Sequence, residues 1–294
     1  MRPVKPVLLA LGAIMLGIGC LSCGGPAISS SKLLPTGGGA SAAASNGAAN
    51  HGAANSKAPA AGASTTMCQP YQATNVDGGT YTVQDDEWGS SAAQCVSTKG
   101  KAAFTVTKSA ISEPAGGNPG SYPSIYAGCN WGDCTQGGLA ARPQLLSGLR
   151  SGAVTTTLAT TDPAGGAYDV SYDIWVNRTA TTSGAPNGLE IMVWLNSHGG
   201  VQPAGSEVAT GVQIGGYTYD VWYSPNAGNG PCVTYEMTTG RTEVTNLDLV
   251  PLLANAEQHG DLNSSWYLIA VEAGFEIWQG GAGLAVRHFS VALG

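Results

Sequence analysis

Short runs of alternating apolar and polar residues, each closed by turn chemistry, fill the chain from Thr80 onward. Thr80–Gln84, Ala103–Thr107, Val154–Leu158 and Tyr168–Val176 alternate with the two-residue period of a half-buried strand. So do the segments 190–195, 208–214, 217–223, 232–237, 266–272 and 284–291. Asp77-Gly78-Gly79, Asp162-Pro163-Ala164-Gly165-Gly166, Asn187-Gly188, Gly215-Gly216 and Pro225-Asn226 separate them as turns. One helix breaks the series. Asn246 or Asp248 caps it, Pro251 sits in its first turn, Leu249, Leu252, Leu253 and Ala256 form its apolar stripe, and Gly260 ends it. Many strands and one short helix predict an all-β, two-sheet β-jelly-roll sandwich.

The same alternation sorts residues onto faces. Tyr168, Val170, Tyr172 and Ile174 read as core, and Asp169, Ser171, Asp173 and Trp175 as the lining of a polar, aromatic groove. Thr82, Gln84, Asp86 and Trp88 form a second such face. Glu190, Met192 and Trp194 share a face, opposite Ile191, Val193 and Leu195, while Glu276 and Trp278 lie opposite Phe275 and Ile277. A concave sheet with these faces forms an open cleft for an extended polymer. A carboxylate beside an aromatic plate suits sugar chemistry, where one group moves protons or attacks and the other stacks on an apolar sugar face. Glu272 has the parity of Glu276 but no adjacent tryptophan, and is read as a supporting residue.

Residues 1–23 carry a basic start, Arg2 and Lys5, then a glycine-broken apolar run, which is the pattern of a signal peptide. Residues 24–66 are rich in Ala, Gly and Ser and read as a flexible linker, which leaves 67–294 as a single catalytic domain. Export implies an oxidising compartment. Cys129 with Cys134, and Cys68 with Cys95, are the expected bridges, and Cys232 is left over. Zinc at Cys129 and Cys134 is set aside, because no second Cys/His pair follows at ligand spacing. Lipid attachment at Cys20 or Cys23 is the alternative to simple secretion, with the chain then a cell-surface lipoprotein.

The formal net charge is -7 with only 11% charged residues, and no Lys/Arg cluster exists to hold a nucleic acid backbone. A neutral polymer fits better. The sequence shows no sign of a metal or cofactor and no reason to expect an oligomer, so a monomer acting on polysaccharide is the expectation.

Six ordered stretches carry a family resemblance: Tyr81–Gln84 leading to Glu87-Trp88-Gly89-Ser90; Tyr122-Pro123-Ser124; Ser171–Trp175; Glu190–Trp194; Gln202-Pro203-Ala204-Gly205-Ser206; and Ala273–Trp278 through Gly283–Val286. With them the chain resembles glycoside hydrolase family 12, secreted jelly-roll enzymes that mostly cleave β-1,4-glucans. The resemblance implies Glu190 as nucleophile, Glu276 as acid/base and Asp173 as the partner that hydrogen-bonds Glu190. It also implies a retaining double displacement, with the two carboxyls about 5–5.5 Å apart. Trp88, Trp194, Met192, Pro203 and Trp278 would line the sugar subsites. Asp86 and Asp169 stand where family members commonly carry Asn; both can accept sugar hydroxyls, and their charge is expected to move the pH optimum. The expected activity is endo-hydrolysis of cellulose or a related β-glucan. A non-catalytic carbohydrate-binding sandwich and an endo-acting xyloglucanase or xylanase are the rivals.

Overall fold

The computed structural model describes residues 64–260 and 262–294. The expected signal peptide and nearly all of the expected linker lie outside these residues. The linker was expected to run to Thr66, but strand Thr65–Met67 already pairs with Gln94–Thr98, and Met67 is fully buried. Strand pairing thus reaches two residues into the expected linker, where Met67 fills a core position opposite Val96.

Two sheets pack face to face, as expected. The smaller has six strands, in the order Thr65–Met67, Gln94–Thr98, Phe104–Ser109, Ala285–Leu293, Val154–Thr161, Glu243–Asp248. The main path of the larger runs Ser206–Ile214, Tyr217–Ser224, Cys232–Met237, Leu189–His198, Ala167–Asn177, Tyr267–Gly274, Ser124–Asn130, Tyr81–Gln84, Ala73–Val76. Its pairs are antiparallel except one: Leu189–His198 runs parallel to Cys232–Met237. The core lies between the sheets, where Tyr168, Val170, Tyr172 and Ile174 meet Ile191, Val193 and Leu195, then Val154, Leu158 and Phe289 of the other sheet. These are the faces the alternation assigns to core.

The helix spans Val250–His259, with Pro251 in its first turn and the Gly260 N–H closing on the Ala256 carbonyl at 2.9 Å. Leu249 occupies the capping position, and Asp248 stands one residue before it, accepting the Val250 N–H at 3.1 Å. Asn246 caps nothing here; it belongs to strand Glu243–Asp248. Leu249, Leu252, Leu253 and Ala256 are buried, so the apolar stripe docks as its spacing requires.

Both expected disulfides form, Cys68–Cys95 and Cys129–Cys134, and Cys232 is a buried free thiol. The pairing Cys129↔Cys134 closes the turn that carries Trp131.

Candidate active site

Ala167–Asn177 sits at the centre of the larger sheet, and the candidate carboxylates are arranged around it. Asp173 stands opposite Met192 on one side and Glu272 on the other. Glu190 stands opposite Trp175, one diagonal step from Asp173 on the same face. Glu276 lies in the break between Tyr267–Gly274 and Ile277–Gly280, two strands that pair with different stretches of Ala167–Asn177. Gly274 is needed at this break, since a Cβ there would stand 2.3 Å from the Pro123 carbonyl oxygen. That close approach lets the chain turn Glu276 onto the cleft face.

The carboxylates differ in what supports them. Glu272 is buried yet richly served: Ser124 Oγ donates at 2.5 Å, Gln84 Nε2 at 2.7 Å, Trp175 Nε1 at 3.3 Å, and Asn130 Nδ2 at 3.3 and 3.2 Å to its two oxygens. Burial raises its proton affinity to about 7, and this set of donors opposes that rise. Asp173 is buried, and its Oδ1 has no donor. Burial first, then the charges of Glu190, Glu272 and Glu276, hold its proton well above the usual carboxylate range. Burial is the largest influence on Glu190, and Asp173 beside it is the one neighbour that acts to lower it. Burial and the nearby Glu276 and Glu272 charges act against it and raise Glu190. Glu276 is pushed up by burial and then by Asp169, so it retains a proton more readily than an exposed glutamate.

The apolar side of the site is a small cluster of Ala167, Met192, Trp194, Val201, Cys232 and Trp278. Trp194 and Trp278 meet edge to face at 6.3 Å, and Trp278 Nε1 donates to the Gly117 carbonyl at 2.7 Å. Both are buried, as is Pro203, so they shape the floor of the cleft rather than present an open ring. Trp88 differs: it is 45% exposed. The left-handed backbone at Asp86 (φ 39) turns the chain outward just before it, and Gly89 donates to the Gly120 carbonyl at 2.8 Å just after it. Asp86 is half-buried and feels the Glu272 charge, whereas Asp169 is wholly buried behind Glu276. Asp169 therefore meets Glu276 and not the open cleft.

Residues 79–294 match the sequence profile of glycosyl hydrolase family 12. The chain belongs to this family. A probable cellulase, Cel12b, from Mycobacterium tuberculosis is 37% identical over 128 residues, which is 44% of this chain and 82% of the relative. A xyloglucan-specific endo-β-1,4-glucanase from Phytophthora sojae is 37% identical over 131 residues, 42% of this chain but only 51% of that protein. The solved structure of endoglucanase Cel12A from Rhodothermus marinus superposes with a TM-score of 0.72 at 37% identity, covering 78% of this chain and 99% of that one. The family 12 jelly roll thus accounts for the described domain.

Within this family 12 fold, Glu272 is the carboxylate with the fullest set of side-chain donors. The signal is in the sequence: Gln84 and Trp175 fall on cleft-lining faces, and Ser124 belongs to the Tyr122-Pro123-Ser124 stretch. Their convergence on one carboxylate depends on strand order, since Gln84 and Glu272 are 188 residues apart.

Proposed function

We infer that the chain is an exported endo-β-1,4-glucanase that cuts internal bonds of cellulose or a related glucan with retention of configuration. Membership of family 12 supports a hydrolase of glycosidic bonds. The observation that carries the finer reading is the unequal surroundings of Glu190 and Glu276: burial raises both, but the hydrogen bond from Asp173 opposes the rise at Glu190, whereas the charge and hydrogen bond of Asp169 add to it at Glu276.

In the first step Glu190 attacks the anomeric carbon while Glu276 gives its proton to the departing oxygen. A glycosyl ester on Glu190 results. In the second step Glu276 takes a proton from water, which attacks the same carbon and frees Glu190. Asp173 shares its proton with Glu190 in the resting state and steadies the carboxylate as it is released. Trp88 supplies the exposed plate for a sugar ring, and Met192, Trp194 and Trp278 set the floor beneath the reacting ring. The two disulfides suit an oxidising compartment outside the cytoplasm.

Reducing-sugar release from carboxymethylcellulose and mixed-linkage glucan tests the reading. Wild type should be active, and Glu190→Gln and Glu276→Gln should each lose about 10²-fold or more. Equal activity in all three removes it and favours a binding module. A parallel assay on xyloglucan addresses the second reading, which the Phytophthora sojae relative supports.

A further inference from the structure

Asp85, Gln94 and Ser121 form a polar relay apart from the catalytic carboxylates, and they are 0%, 1% and 0% exposed. Gln94 Nε2 donates to the Asp85 carbonyl at 3.0 Å and to Asp85 Oδ1 at 2.9 Å. The Ser121 hydroxyl donates to Gln94 Oε1 at 2.9 Å. Asp85 Oδ2 has no donor among the described residues. The relay joins two parts of the cleft. On one side, Asp85 opens the segment that turns at Asp86 and presents Trp88. On the other, the Ser121 main chain pairs with Ile277, the residue after Glu276. The Ile277 N–H donates to the Ser121 carbonyl at 3.0 Å, and the Gly120 N–H to the Ile277 carbonyl at 2.8 Å. Two more main-chain bonds close the gap between these parts. The Tyr122 N–H donates to the Asp86 carbonyl at 2.9 Å, and the Gly89 N–H to the Gly120 carbonyl at 2.8 Å. Trp88 is thus flanked on both sides by bonds to the segment that holds Ile277.

We propose that Asp85 is a positioning residue: through Gln94 and Ser121 it locks the turn bearing Trp88 to the segment beside Glu276, and the lock loosens when Asp85 loses its proton. The proposal rests on reading the cleft as a glucan site with Trp88 as a sugar plate. Protonated, the Asp85 carboxyl accepts from Gln94 and carries no charge. Ionised, it places charge on an oxygen that neither a donor nor water reaches, and that cost favours opening the turn to solvent. Burial is the largest influence and raises the carboxyl to about 6; the Gln94 hydrogen bond opposes the rise and the Glu87 charge adds to it. A solvated aspartate ionises near pH 4, so the lock is full below about 4 and is lost as pH rises through about 6.

Other titratable groups face this region. Asp86 and Glu87 follow on the same segment, and Asp86 feels the Glu272 charge. Tyr71, from the turn before Ala73–Val76, and Tyr122 are both raised by burial and stay neutral through this range. Glu113 lies beside Gly120, and the exposed Lys108 stands opposite Cys95 on the strand next to Gln94. These groups shift the absolute pH of the step, so the test reads a difference made by one substitution. Asp85→Asn keeps the acceptor for Gln94 and cannot ionise.

Isothermal titration measures the Kd of thio-linked cellotetraose, which resists cleavage, from mild acid to mild alkali. Wild type should bind several-fold more weakly above about pH 6 than well below it, the size of one loosened stacking contact. Asp85→Asn should hold the tight value across the range. Trp88→Ala should bind weakly throughout and without the step. A wild-type Kd that does not change with pH overturns the proposal, as does a step that persists in Asp85→Asn or in Trp88→Ala. If Asp85→Asn does not fold, wild type against Trp88→Ala decides, because removing the plate must remove the step. Reducing-sugar release from mixed-linkage glucan by wild type is read in parallel. If wild type neither binds the probe nor releases sugar, the glucanase reading falls and the proposal falls with it; if it does both and shows no step, only the proposal falls.

Discussion

Glu272 and Asp173 face each other across one antiparallel strand pair, and the hydrogen-bond donors go to Glu272. Burial raises Glu272 only to about 7, because its donors oppose it, while Asp173 is raised well above the carboxylate range, so Glu272 is the first of the two to ionise and Asp173 keeps its proton longer. In Glu272→Gln the neighbouring charge is gone, and both Asp173 and Glu190 ionise at lower pH. The acid limb of kcat/KM should move down in this variant. A limb that stays or moves up contradicts the assignment of charge.

Product stereochemistry separates the two glutamates. With azide and an activated aryl cellobioside, Glu190→Ala should yield the α-glycosyl azide, because azide occupies the vacated nucleophile position. Glu276→Ala should yield the β-azide, formed from the intact glycosyl ester. Chromatography of the products against standards reads this directly, and the opposite pattern exchanges the roles.

Trp88 and Trp194 should respond differently to truncation. Trp88→Ala removes an exposed plate and should raise KM several-fold, about 1 kcal/mol of stacking, with little change in Tm. Trp194→Ala empties a buried position and should lower stability by about 3–5 kcal/mol. Michaelis kinetics and thermal unfolding on both variants check the contrast.

The buried carboxylates also govern stability against pH. Asp169, Asp173, Glu190, Glu272 and Glu276 all have folded-state proton affinities raised above those of an unfolded chain, with burial the largest cause. Groups shifted in this direction contribute stability fully below the unfolded value, about pH 4, and lose it as pH rises through the folded value. Tm should therefore be highest in mild acid and fall toward and above neutral pH. Asp169→Asn should flatten that fall.

The two disulfides should contribute unequally. Loop-closure arithmetic gives about 3.5 kcal/mol for the Cys68–Cys95 bridge and about 2 kcal/mol for Cys129–Cys134, because their sequence separations are 27 and 5. Denaturant unfolding of the two Cys→Ser pairs measures the difference.

Much of this molecule was legible before any coordinates. Alternation placed Glu190, Met192 and Trp194 on the face away from Ile191, Val193 and Leu195, and the sheet keeps that division. The Cys pairs followed from their positions and from the single leftover thiol. Strand Ser124–Asn130 was not read, because both its faces are buried and it therefore lacks a polar period. The place of Asp169 was not legible either. Its parity correctly put it on the groove side, but the Glu276 segment covers it there, and coverage by a segment 107 residues away leaves no local trace.

The parallel pairing of Leu189–His198 with Cys232–Met237 has a consequence for how the enzyme comes into being. Glu190 is completed on one flank by Cys232, and Asp173 by Glu272, both far along the chain. Contacts of such long range form late and slowly. A chain still emerging during synthesis has no working site, so hydrolysis begins only once the last strands have closed.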